Sequence, residues 1–260
     1  MKLRVLSITR MRKIITLFLF TGVVIVSQAQ TKTVTDVRQL WFGYFNQTRF
    51  SDKWGLWADF HLRTKDDFTD DLSQSILRAG LTYYLNDATK LTAGYAYVTN
   101  YPAEGHTDVS QPEQRIWQQL QWHTKFSRTR LMQWFRLEEK FKRKIANDST
   151  LADGNTFNYK MRYNIFFEIP LTKSGNGSGA LSAVVNDEVH INFGKQIVYN
   201  YFDQNRAFVG VKLNTNRHDN IQVGYMNQFQ QLPAGNRYRS VHVVRIFYFQ
   251  SLDWRRKQRS

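Results

Sequence analysis

Eleven ionisable side chains sit on the polar side of alternating segments: Arg63, Arg78, Arg115, Arg136, Glu138, Lys160, Arg162, Glu168, Glu188, His190 and Arg206. Guanidinium and carboxylate groups on adjacent strands can form bidentate, charge-assisted pairs. If these residues line the inside of a barrel, two outcomes follow. An incompletely paired, arginine-rich lumen is a constriction that favours anionic solutes. A fully paired lumen is a plug that stabilises a closed barrel, since small barrels are often filled by their own side chains. Residue types alone leave both open.

Acyl hydrolysis is a second possible chemistry, and it needs a nucleophile, a base and an orienting group within hydrogen-bond reach. Glu188 and His190 share one face, as do Ser240 and His242. No nucleophile elbow or other catalytic signature accompanies them, so no catalytic residue is assigned. The six histidines are scattered without recurring ligand spacing, so neither metal nor cofactor is expected. The acidic pairs Asp66-Asp67 and Asp70-Asp71 read as solvated loop residues, although such pairs can hold divalent cations. The chain has no cysteine, which excludes disulfides, thiol catalysis and cysteine metal sites.

The elements that must position these groups are strands. From Phe157 to Ile169 the odd positions are Phe, Tyr, Met, Tyr, Ile, Phe and Ile, while the even positions are polar except Phe166. Side chains alternate faces along a strand, and no helical face fits a period of two. Leu77–Leu85, Leu181–Asn192, Arg206–Leu213 and Ile221–Phe229 repeat the pattern less cleanly, with Asp187 breaking the apolar face of its segment. About eleven strands can be read, most of them roughly 9–14 residues long, which suits tilted membrane-spanning strands.

Short turns begin near residues 50, 85, 126, 171 and 214. They recur roughly every 35–45 residues, two strands plus one longer loop. The longer loops are expected at Thr64–Asp70, Asn100–Pro112, Lys144–Thr156, Phe193–Asn205 and Gln231–Asn236. Such alternation marks an up-and-down outer-membrane barrel, with its short turns on the periplasmic side. Phe50, Trp54, Tyr83, Phe126, Phe247 and Phe249 gather toward the short turns, and Tyr97, Tyr101, Tyr199 and Tyr201 toward the loops, as two interfacial girdles would. The strand before Phe50 then starts on the long-loop side. Thr31–Arg38 is therefore expected to add a short twelfth strand, the other course being a climb through the lumen, because single-chain bacterial barrels usually have even counts.

Lys2, Arg4, Arg10, Arg12 and Lys13 precede an apolar run from Ile14 to Val26 and the small residues Ser27 and Ala29. This is the pattern of a removable signal peptide, too short for the ~20 residues of a membrane-crossing helix. Removing residues 1–29 takes away five positive charges and lowers the net charge from +15 to +10. An exported basic chain suits anionic lipid headgroups and lipopolysaccharide phosphates rather than nucleic acid. Aromatics make up 15% of the residues, yet the mean hydropathy is negative, so a membrane would have to be crossed with strands. The fold class is thus all-β: a transmembrane up-and-down antiparallel β-barrel of about twelve strands, within ten to twelve. Residues 1–29 form the signal peptide, 30–250 a monomeric barrel in the cell outer membrane, and 251–260 a basic tail carrying Arg255, Arg256, Lys257 and Arg259.

Three stretches carry a resemblance to a family. Glu113-Gln114-Arg115-Ile116-Trp117-Gln118-Gln119 resembles an E-x-R-x-W-Q-Q strand, and Arg136-Leu137-Glu138-Glu139-Lys140-Phe141 an R-x-E-x-R/K-F strand. Asn186–Asn192 with Phe202-Asp203-Gln204-Asn205-Arg206 resembles an N-E-x-F-x-N … F-x-Q-N-R pair, with Asp187 and His190 as departures. Together they are similar to the outer-membrane β-barrel family catalogued as domain of unknown function 2490, over about Leu40 to Phe249. The resemblance implies a β-barrel and brings no activity. The functional expectation is a narrow channel or structural membrane protein with an Arg/Glu-rich lumen, open to small anionic or polar solutes. A barrel-embedded lipid-modifying hydrolase is one alternative. A soluble periplasmic barrel that binds a ligand is the other, because its alternation would look the same with the apolar face inside.

Overall fold

In the computed structural model, which describes residues 32–65, 67–68, 71–102, 108–172 and 177–255, eleven strands close a barrel. They are β1 (Thr33–Arg49), β2 (Trp54–Thr64), β3 (Leu72–Tyr84), β4 (Thr89–Asn100), β5 (Gln111–Lys125), β6 (Arg130–Asn147), β7 (Thr150–Pro170), β8 (Leu181–Phe193), β9 (Phe202–Asn214), β10 (Asp219–Gln231) and β11 (Arg237–Asp253). The expected signal segment, Asp66, Asp70 and the tail residues Arg256, Lys257 and Arg259 lie outside the described residues.

Alternation decides the two faces. On β7, Tyr163, Ile165 and Ile169 are 38%, 41% and 39% exposed, whereas Arg162, Asn164 and Glu168 are 8%, 4% and 7% exposed. Each of the eleven strands presents at least one large exposed apolar residue, from Phe42 on β1 to Val244 on β11. The barrel is therefore apolar outside and rich in Arg, Glu, Gln and Asn inside, the reverse of a soluble barrel. Asp187 breaks this face, and both of its carboxylate oxygens take hydrogen bonds from the Asn205 amide at 3.0 Å.

Consecutive strands pair antiparallel, and the barrel closes where β1 meets β11 in parallel, from Thr33↔Arg237 to Arg49↔Asp253. A meander with an odd number of strands sends its first and last strands in the same direction, so closure has to be parallel. Eleven falls within the expected range, but the even count does not arise. Thr33–Arg38 neither adds a strand nor enters the lumen; it is the first half of β1. On β1, β2 pairs with Trp41–Arg49, so among the described residues Thr33–Leu40 has only β11 as a ladder partner. β1 begins at the long-loop end, where Thr33 N donates to Asn236 O at 3.1 Å. The chain leaves β11 at the opposite end, where Trp254 N donates to Arg49 O at 2.8 Å.

The short turns 50–53, 85–88, 126–129 and 215–218 each have four residues. Their sequences close them: Asn86 Oδ1 accepts from the backbone N–H groups of Ala88 and Thr89, and Asn216 Oδ1 from those of His218 and Asp219. The fifth connection at this end, 171–180, is longer. At the other end the expected Lys144–Thr156 loop is strand instead. β6 and β7 run on as a hairpin past the registers of their neighbours, and Asn147 Oδ1 accepts from Ser149 N and Thr150 Oγ1 at its tip. Gly154, at φ 80°, and the register shifts between Arg143 and Asn147 absorb the irregularity that reads as loop in the sequence.

The aromatic assignment needs one correction. Phe50, Trp54 and Phe126 are exposed at the short-turn end and Tyr97, Tyr199 and Tyr201 at the other. Phe247 and Phe249, expected in the short-turn girdle, point inward. Phe247 is 7% exposed, and both rings pack on Phe45, at centroid distances of 5.3 and 4.5 Å.

Candidate functional site

The lumen holds one large cavity of about 1140 Å³. Its lining reaches from Thr156 and Pro233 at the long-loop end to Arg130, Asn220 and Ser251 at the short-turn end. Ten of the eleven residues singled out from the sequence line it. The eleventh, Glu138, is 1% exposed and lies behind the arginines it holds.

Neighbouring strands bring these groups into paired clusters. Glu138 on β6 lies 3.1 Å from Arg115 Nη1 on β5, 2.6 Å from Arg162 Nη1 on β7 and 3.7 Å from Arg136 Nη1 on its own strand. Arg162 Nε donates to Glu188 Oε1 at 2.7 Å, and Glu188 also faces His190 at 2.8 Å and Arg206 at 3.8 Å. Lys160 reaches Asp203 at 2.6 Å, and Lys212 reaches Glu168 at 3.0 Å. Arg115 Nε donates to Glu113 at 2.5 Å. Arg78 lies 3.3 Å from Asp59, whose carboxylate also accepts from the Trp57 indole at 2.5 Å and contacts His61 at 2.8 Å. Side chains this buried must be paired or hydrogen-bonded to offset lost hydration.

Cations nevertheless exceed anions. The lining includes nine arginines and four lysines but only four carboxylates: Glu113, Glu168, Glu188 and Asp203. Adding Asp59 and Glu138, which sit behind it, brings the carboxylates to six. None of the lining carboxylates comes from β10, β11 or β1.

Aromatic rings stand in for carboxylates at Arg63 and Arg245 and add to Glu138 at Arg136. Arg63 lies 3.7 Å from the Trp41 ring centroid, Arg136 4.6 Å from Trp117 and Arg245 3.3 Å from Phe208. Glycine makes room for two of these rings. A Cβ on Gly224 would lie 2.8 Å from Phe208 Cε2, and one on Gly80 would lie 2.9 Å from Trp117 Cζ2. Each ring thus lies against bare backbone, with its guanidinium on the cavity side.

Several members of the site are absent from the sequence-derived set: Asp59, His61, Glu113, Asp203 and Arg245, with the inward rings Trp41, Trp117 and Phe208. Arg245 and Glu113 sit at inward parity and were readable in principle. Asp203 was not, because the register shifts beside it, between His190 and Ile191, and places it inward next to Gln204.

The hydrolase geometry is incomplete. His190 is enclosed by Glu188, Asp203 and Gln204, and no hydroxyl contacts it among the described residues. On the outer face, Ser240 Oγ lies 3.5 Å and Asp36 Oδ1 3.3 Å from the same nitrogen, His242 Nε2, while Tyr225 OH lies 2.7 Å from Nδ1. An imidazole nitrogen that donates to the aspartate cannot also take the serine proton, so the relay order is not met. Among the described residues no group of three or more His, Asp or Glu side chains could hold a metal ion.

Comparison with known proteins places the chain. It is 29% identical over 169 residues to an uncharacterised protein of Methylorubrum extorquens, covering 63% of this chain and 66% of that protein, just under two thirds of its length. Among solved structures it is similar to a chain titled "NanC porin structure in rhombohedral crystal form", at a TM-score of 0.43 and 9% identity over 73% of this chain and 86% of that one. The model of the family described as "Protein of unknown function (DUF2490)" matches residues 38–239, well over half of the sequence, and the chain belongs to that family.

Proposed function

We propose that the chain is exported, spans the outer membrane of a Gram-negative cell as a barrel, and conducts small anionic solutes. One observation carries this reading: a cavity that runs the length of an apolar-walled barrel is lined by thirteen cations and four carboxylates. The exposed apolar residues of all eleven strands would meet lipid, and burying them there supplies the stabilisation that a soluble barrel draws from its core. Lys144 and Arg237, exposed at the long-loop end, suit lipopolysaccharide phosphates. Inside, partial neutralisation lowers the cost of crowding like charges, and the remaining positive field attracts anions and repels cations. The soluble binding-protein alternative would require the opposite distribution of polarity.

Swelling of vesicles containing the refolded barrel tests the reading, using isosmotic zwitterionic, cationic and anionic solutes of similar size. Fast entry of the anion, slower entry of the zwitterion and exclusion of the cation are expected. A barrel with verified heat-dependent gel mobility that admits none of them would instead be plugged by its own side chains.

A further inference from the structure

Pairing within the lumen is lopsided. The arginines on β5 and β7 lie within 3.1 Å of a carboxylate, whereas Arg63 on β2 and Arg245 on β11 have no carboxylate partner among the described residues. Arg206 on β9 has one long contact of 3.8 Å, to Glu188. These three border the quadrant built by β9, β10, β11, β1 and β2, in that order around the wall. Each is anchored by a glutamine carbonyl instead. Arg63 Nη1 donates to Gln74 at 2.8 Å, Arg206 Nε to Gln228 at 3.0 Å, and Arg245 Nη2 to Gln222 at 3.4 Å.

Rings fix the guanidinium planes. Trp41 lies under both Arg63, at 3.7 Å, and Arg206, at 5.1 Å; Arg245 lies over Phe208 at 3.3 Å and Phe247 at 4.8 Å. Five N–H donors per guanidinium exceed what one glutamine can satisfy. Arg63 Nε and Arg245 Nε are buried without a hydrogen-bond partner, as are Arg78 Nε and Arg136 Nη1, but those two arginines keep a carboxylate at 3.3 and 3.7 Å, which Arg63 and Arg245 do not. Arg245 is only 7% exposed, yet it lines the cavity. With Arg245 buried and Arg63 and Arg206 half-buried, this wall is positively charged, oriented and short of protein acceptors.

We infer that Arg63, Arg206 and Arg245 form a saturable binding site for the oxyanion group, carboxylate or phosphate, of a small solute. The site rests on the channel reading only in that solute must reach the lumen. It differs from general attraction to a positive pore because the opposite wall, where Glu113 and Glu138 already occupy Arg115 and Arg162, would bind far more weakly.

The test uses the refolded full-length mature barrel in detergent at fixed ionic strength. Calorimetric titration with glucuronate, glucose 1-phosphate, chloride and glucose gives the affinities. Saturable binding of either oxyanion, but not of glucose or chloride, is expected; which oxyanion binds identifies the group. Gln74→Glu/Gln222→Glu keeps every arginine and offers Arg63 and Arg245 a built-in carboxylate. It should weaken oxyanion binding by about tenfold or more, the loss expected for displaced charge-assisted hydrogen bonds, and retain the folded gel mobility. Lys140→Gln/Lys142→Gln, on the opposite wall, should leave binding unchanged. Equal binding of chloride, or equal weakening by both double variants, would overturn the site and reduce the effect to screening. Saturable binding without ion conduction would keep the site and remove the channel; conduction without saturable binding would do the reverse.

Discussion

Glu138 shows how tightly the paired wall is balanced, because one carboxylate serves Arg115, Arg162 and Arg136. Replacing it by glutamine preserves volume but leaves three guanidinium groups facing one another without their shared anion. Removing one partner of a buried ion pair typically costs about 3–5 kcal/mol. Glu138→Gln is therefore expected to destabilise the refolded barrel by that amount in denaturant titrations. A loss below about 1 kcal/mol would mean that the network is hydrated enough to behave like surface charge. Ten of the residues in the lining were legible from parity alone, Arg162 and Glu188 among them, because a charged side chain on a strand with an apolar opposite face can point only one way. The inward rings were not. Phe247 is chemically identical to a belt phenylalanine, and its role is set by Gly43, where a Cβ would come 2.8 Å from the ring. Asp203 was hidden by a register shift, which no alternation rule foresees.

Strand by strand, the sequence announces where the chain is extended more clearly than which strands meet. The alternation of Phe157–Ile169 and the Asn86 and Asn216 turns mark strands and their ends locally. Closure does not have a local signal: Thr33–Arg38 carries the same extended pattern whether it ladders with β11 or forms a separate strand. The parallel register Phe42↔Ile246 supplies a direct check. The chain contains no cysteine, so Phe42→Cys/Ile246→Cys creates the sole pair. Oxidation should give a closed-loop species with altered migration on a non-reducing denaturing gel, and Phe42→Cys/Gln250→Cys should not. The opposite result would place β11 in another register and reopen the even-stranded arrangement. The hairpin between Arg143 and Phe157 reads as a loop for a related reason. Asp148, Ser149 and Gly154 are all turn formers, and only pairing between β6 and β7 selects Asp148-Ser149 as the tip.

For the whole molecule, the inverted distribution of polarity explains the composition of the chain. A negative mean hydropathy coexists with 15% aromatic residues because polar side chains fill the inside and apolar ones cover the outside. The excess of arginine and lysine over carboxylates then sets the sign of the field within the cavity. Selectivity should follow that sign and track the unneutralised wall rather than the paired one. The most direct measurement is the reversal potential of the folded barrel in a planar bilayer under a KCl gradient, for the wild type and for Arg63→Gln/Arg245→Gln. A reversal potential of the sign set by chloride flow, moving toward zero in the variant, is expected. Steady unitary currents that favour potassium, or a wild type and variant with the same reversal potential, would contradict it.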